Sequence, residues 1–96
     1  MINIVQQDEE LVVSGELTLK TITQSFEKKS YKLLTKTIKV LNFESVSKVD
    51  TAGLAWLLMM VEHAKNQSQI MHIINTPNEL IRLAKLSSVE PFLPIK

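Results

Sequence analysis

Ten consecutive residues, Ala52 to Val61, form the apolar run AGLAWLLMMV in a chain that elsewhere mixes polar and apolar residues at short intervals. The run reaches only half of the roughly 20 residues that a membrane-crossing helix needs, so no bilayer span and no direct membrane insertion are expected. It is also too long for a strand and holds no proline, so a helix is predicted from Ala52 to about Asn66. At 100° per residue Leu54, Leu57, Leu58, Val61 and Ala64 share one stripe, the expected core side. Ala52, Ala55, Trp56, Met59 and, at its margin, Met60 lie roughly opposite, with His63 continuing the line. That second stripe admits two readings. A helix flanked on both sides buries both stripes. A docking face would also place Trp and Met there, because Met adapts to irregular contacts and Trp is enriched at binding hot spots.

The rest of the chain bounds the fold. Ninety-six residues make one domain, 1–96, with a single core. Net charge is +1 and the eleven Lys and Arg are dispersed, which gives no footprint for nucleic acid. The absence of cysteine excludes disulfide and thiolate chemistry and suits a reducing compartment, with the cytoplasm as the expected location. The opening MINIVQQDEE has neither a basic n-region nor a long apolar h-region, so no secretory signal is expected.

INIVQ and ELVVSG, rich in β-branched residues and separated by QDE, predict an antiparallel hairpin whose second strand ends at Gly15. Leu19, Ile22 and Phe26 recur at helical spacing, predicting a helix from Thr18 to about Ser30, capped by Thr18 or by Thr21 with Gln24 three residues on. KTIKVLNF reads as a buried strand, ESVSKVD as a loop, and QIMHIIN as a further strand. In TPNELIRLAKL, Thr76 at the N-cap, Pro77 at the first helical position and Glu79 predict a final helix. The two prolines of EPFLPIK end it, and Phe92 and Leu93 are expected to pack against it. The expected fold is α/β, a mixed sheet of about four strands with an antiparallel first hairpin and three helices on one face. The other face would be thinly covered.

The start of the central helix draws the functional question. Asp50 and Thr51 stand where unpaired backbone N–H groups and the positive end of the helix dipole favour oxygen and negative charge, so one of them is the expected cap. Exposed Thr51 is a candidate contact residue or phosphate acceptor. Gly53 in the first turn allows another backbone to come close.

VDTAGLAWLL resembles the signature loop and second helix of STAS domains, the fold of anti-sigma factor antagonists. The predicted element order matches that fold across essentially the whole chain. Within the family, LVVSGEL (11–17), KVDTAGLAWLL (48–58) and RLAKLSSVEPFLP (82–94) are similar, in order and spacing, to the STAS subunits of Mla-type phospholipid ABC transporters. That resemblance implies a non-catalytic subunit that binds the transporter's ATPase and supports its assembly and activity in maintaining outer-membrane lipid asymmetry. It also implies a cytoplasmic position, peripheral to the inner membrane through that partner. The interface it implies comprises Asp50, Thr51, Ala52, Trp56, Met59 and Met60. Thr51 takes the place of the phosphoacceptor of anti-sigma antagonists. The alternative is therefore a signalling switch phosphorylated at Thr51 by an anti-sigma factor with kinase activity. Here the acceptor is Thr rather than the usual Ser, and Ala52 follows where a second Ser is common.

Catalytic chemistry finds no candidate in the chain. His63 and His72 lie on different elements without carboxylates at ligand spacing, so neither a metal nor another cofactor is expected. No glycine-rich phosphate loop and no nucleophile with a base beside it occur. The acidic run Asp8, Glu9 and Glu10 reads as a solvated turn. A free-standing lipid or small-molecule carrier is disfavoured because so short a chain leaves little volume beyond its core.

Overall fold

The polar QDE segment closes a tight hairpin. Strand β1 (Asn3–Gln7) pairs antiparallel with β2 (Glu10–Leu17), and Asp8 takes the left-handed conformation, with φ of 56°, that Asp tolerates better than most residues. The computed structural model describes residues 1–96. After β2 come α1 (Gln24–Leu33), β3 (Val40–Val49), α2 (Thr51–Asn66), β4 (His72–Ile74) and α3 (Asn78–Leu86). The sheet order is β1-β2-β3-β4, with β2, β3 and β4 mutually parallel. Alternation puts Ile4, Leu11, Val13, Leu41, Phe43 and Ile73 on one side, all essentially inaccessible. The predicted mixed sheet with three helices is what the chain forms. On the open face Asn42 donates to Glu10 at 3.1 Å and accepts from the Asn75 amide at 2.9 Å, so a thin polar network replaces a second helical layer.

Several boundaries differ from the sequence-based expectation. Thr18 to Thr21 form a turn rather than the first turn of a helix. The Thr21 hydroxyl donates to the Glu16 carbonyl at 2.6 Å and accepts from the Thr18 N–H at 3.0 Å, local bonds that compete with helix formation. Helix α1 starts at Gln24, capped by Thr23, whose oxygen accepts from the Phe26 N–H at 3.1 Å. Leu19 is left exposed.

The ESVSKV segment, expected as a loop, is the second half of β3. It extends past β4 and pairs only with β2, from Ser14↔Ser45 to Leu17↔Val49. Its polar residues Glu44, Ser45, Ser47 and Lys48 are exposed. Gly15 lies inside β2, at φ of 93° beside a register shift, where a Cβ would collide with the Met1 carbonyl. Strand β4 is shorter than predicted. Its Ile73 is bridged in parallel to Ile95, and Ile73 N–H donates to the Pro94 carbonyl at 2.9 Å. In the tail Leu93 is buried, whereas Phe92 is exposed rather than packed on α3.

At α3 the expected Thr76 cap does not form. The backbone of Pro77 supplies the cap, the Thr76 hydroxyl is buried without a partner, and Glu79 turns to Arg82 in a two-pronged contact at 2.7 and 2.8 Å.

Helix α2 lies between α1 and α3, and this settles its two stripes. Trp56 and Met60, expected to face outward, are buried at 2% and 0% exposure. The Trp56 ring packs on Phe26 of α1 and Phe43 of β3, with centroids at 5.4 and 6.4 Å. Its indole N–H donates to the Ser30 hydroxyl at 3.3 Å, which donates in turn to the Phe26 carbonyl at 2.7 Å. Leu58 and Val61 of the expected core stripe are only half-buried. The true inward arc is therefore rotated by about a sixth of a turn from the one drawn on the sequence, at 100° per residue. Flanking by two helices, the first of the two readings, accounts for Trp56 and Met60.

Candidate functional site

The outward line of α2 is Thr51, Ala55, Met59 and Glu62, all exposed, at the i, i+4, i+8, i+11 spacing of a helix face. Ala52 is half-buried beside it. Of the six candidate contact residues, Asp50, Thr51, Ala52 and Met59 are thus gathered at or near this surface, and Trp56 and Met60 lie beneath it.

Asp50 is the cap. Its Oδ1 accepts from the N–H groups of Ala52 at 2.9 Å and Gly53 at 3.1 Å, satisfying two of the first-turn donors. Its Oδ2 accepts from the Leu19 N–H at 3.0 Å, and its own N–H donates to the Leu17 carbonyl. One carboxylate therefore ties the α2 N-terminus to the β2–α1 turn. Partial burial works against the charge, but the three N–H donors and Lys48 outweigh it and hold the Asp50 carboxyl below the usual carboxylate range. Gly53 makes the arrangement possible. A Cβ there would run into the Leu17 carbonyl oxygen and come within 3.1 Å of the Leu17 and Val49 side chains.

Because Asp50 takes the capping bonds, the Thr51 side chain stands outside them on the surface. Leu19, exposed at 75% and held beside Asp50 by its backbone bond, adds an exposed apolar side chain that periodicity had assigned to a helix face. Its signal was the threonine pair around it, which favours a turn over a helix start. The remaining titratable residues have other surroundings. The rings of His63 and Tyr31 meet at a tilt of 48° with centroids 5.2 Å apart, and the pKa of the Tyr31 hydroxyl is pushed up by burial and by Glu27 and Glu62. No group of three or more His, Cys, Asp or Glu could hold a metal ion, and no helix is long and apolar enough to cross a membrane.

The family model described as "Mlab, STAS domain" matches residues 1–94. The chain is a STAS domain. No curated protein matches it significantly in sequence. Among solved structures, this STAS domain is similar to a protein of Thermotoga maritima assigned as an anti-sigma factor antagonist, with a TM-score of 0.75, 13% identity, and coverage of 98% of this chain and 84% of the other. It is also similar to the anti-sigma factor antagonist SpoIIAA in its unphosphorylated form (TM-score 0.69, 15% identity, 100% and 88% covered). The phosphorylated form of SpoIIAA, a Bacillus cell fate determinant, is similar too (TM-score 0.68, 16% identity, 100% and 91% covered). At these identities the likeness shows the fold. In that fold Asp50 and Gly53 serve the α2 N-terminus itself, and Thr51, Ala52, Ala55, Met59 and Leu19 form the surface beside it.

Proposed function

We propose that this STAS domain is a non-catalytic subunit that binds the cytoplasmic ATPase of an Mla-type phospholipid ABC transporter, supports its assembly and activity, and thereby contributes to outer-membrane lipid asymmetry. The observation that carries this reading is the family match to the MlaB type over residues 1–94, together with the apolar patch of Leu19, Ala55 and Met59 around Thr51. Small and flexible side chains around one hydroxyl suit a contact that buries modest apolar area and recognises a polar group. The domain would sit at the inner membrane's cytoplasmic face through that partner.

Binding of a purified Mla-type ATPase subunit tests it. Ala55→Arg and Thr51→Arg are expected to weaken association at least about tenfold, the scale of a contact worth 1.4 kcal/mol, with melting temperature unchanged. Unaltered binding by both variants would overturn the proposed face.

A second reading is a phosphorylation switch. The supporting observations are the likeness to SpoIIAA in both its forms and the exposure of Thr51 at a helix N-terminus. A phosphate there gains from the helix dipole and is repelled by Asp50. Intact-mass measurement on protein isolated from its own cells decides, since absence of a phosphate-sized shift in every growth state counts against a switch.

A further inference from the structure

Ile70 and Phe92 are two of seven large apolar side chains that stand exposed, at 79% and 68%. Both line one open groove of about 710 Å³ between the C-terminal half of α2 and the tail, walled further by Leu58, Val61, Met71 and Pro91. The tail that forms one side is fixed in place by the Ile73–Ile95 bridge and by burial of Leu93. Beyond Ile70 a second cavity is lined by Lys36, Lys39 and His72 and by no carboxylate. Lys65 stands in the first groove, whose one acidic residue is Glu62. Lys39 is paired with Glu9 at 3.3 Å, whereas Lys36 and Lys65 take part in neither of the chain's two ion pairs.

The surface is remote from Thr51. Helix α2 has 16 residues, about 24 Å at 1.5 Å per residue, and the groove lies along its far half. From α2 the groove takes only residues from Leu58 onward, and neither Thr51 nor Ala55 lines it.

We propose that this groove is a second protein-docking surface, and that its occupant is a peptide segment bearing both apolar and acidic side chains. The apolar side chains enter beside Ile70 and Phe92, and the carboxylates meet Lys36 and Lys65. Charge selects the occupant: Lys65 in the groove and Lys36 in the adjoining carboxylate-free cavity, neither in an ion pair, outnumber the one carboxylate Glu62, so together they complement an acidic segment and repel a basic one. The same charge argues against a second copy, whose matching surface carries the same excess of lysines over the one carboxylate Glu62. Shape argues against a bilayer. A concavity is filled by protruding side chains, which a planar headgroup surface does not supply, whereas membrane contact favours a convex apolar face.

The test replaces Phe92 in the full chain with benzoyl-phenylalanine, irradiates cells of the source, and maps the crosslinked peptide by mass spectrometry. Expected is one protein segment rich in Asp or Glu and apolar residues, with yield lowered at least about fivefold in the Lys36→Glu/Lys65→Glu variant, the scale of two surface charge contacts. Ile70→Ser should lower it similarly with melting unchanged, and Thr51→Arg should leave it intact. A basic segment, a second copy, no protein adduct, or a yield indifferent to all three groove substitutions overturns the proposal. So does co-sedimentation of the purified chain with phosphatidylglycerol vesicles that is abolished by Ile70→Ser, which would assign the surface to lipid.

Discussion

Asp50 is the residue on which fold and site meet. It caps α2 with one oxygen and anchors the Leu19 turn with the other. Asp50→Asn keeps an acceptor for the cap but presents an amide that cannot serve both roles. A loss of about 1 kcal/mol, within the range for cap substitutions, is expected, or several degrees of melting temperature in a domain this size. The pH dependence has a definite sign. The folded carboxyl titrates below its unfolded value of about 3.9, so its stabilisation is complete above that value and disappears as pH falls through the folded one. Urea midpoints between about pH 5 and pH 2 should therefore fall less steeply for Asp50→Asn than for the native chain. Parallel slopes would remove Asp50 from the acid response. Trp56→Ala belongs to the core and not to a contact face. With its ring against Phe26 and Phe43, its loss should cost about 3–5 kcal/mol in chemical unfolding. A cost near zero, with lowered partner affinity, would return Trp56 to the surface.

At the scale of elements, what the sequence revealed depended on whether local signals competed. The hairpin, α2 and α3 were readable because β-branched runs, a proline-free apolar run and a Pro at the helix start had no rivals. The beginning of α1 was not, because Thr21 binds backbone at Glu16 and Thr18 and so spends on a turn the oxygen expected to cap a helix. The second half of β3 escaped notice because Glu44, Ser45, Ser47 and Lys48 are exposed there, so the apolar alternation that marks a strand is missing. The rotation of α2 could not be read from its own residues, since Trp56 is turned inward against Phe26 and Phe43, which lie on other elements. For the site this meant that Asp50 and Thr51 were legible and Leu19 was not. The tail carries a prediction at this scale. Removing residues from Pro91 onward deletes buried Leu93 and the bridge from Ile95 to Ile73. Burial of one Leu is worth about 1.5–3 kcal/mol, so a clear fall in thermal stability is expected. An unchanged unfolding curve would show that β4 needs no neighbour on that side.

For the whole molecule, one cluster of 20 buried apolar residues draws members from every strand and helix and from the tail. We expect a single cooperative transition, in which the fluorescence of the lone Trp56 and the far-ultraviolet helical signal fall together. Separate midpoints for the two probes would divide the chain into more than one folding unit. The close passage of Gly53 across the Leu17 carbonyl, locked by Asp50, bears on how relatives of this chain should be sorted. Gly53 is tied to the architecture whatever the domain binds, because a Cβ there meets the Leu17 carbonyl, and position 50 is tied to a capping oxygen, so a search pattern built on the two retrieves ancestry. Positions 19, 51, 55 and 59, whose side chains are exposed, are where, on the proposed function, a change of allegiance from one partner to another would be written.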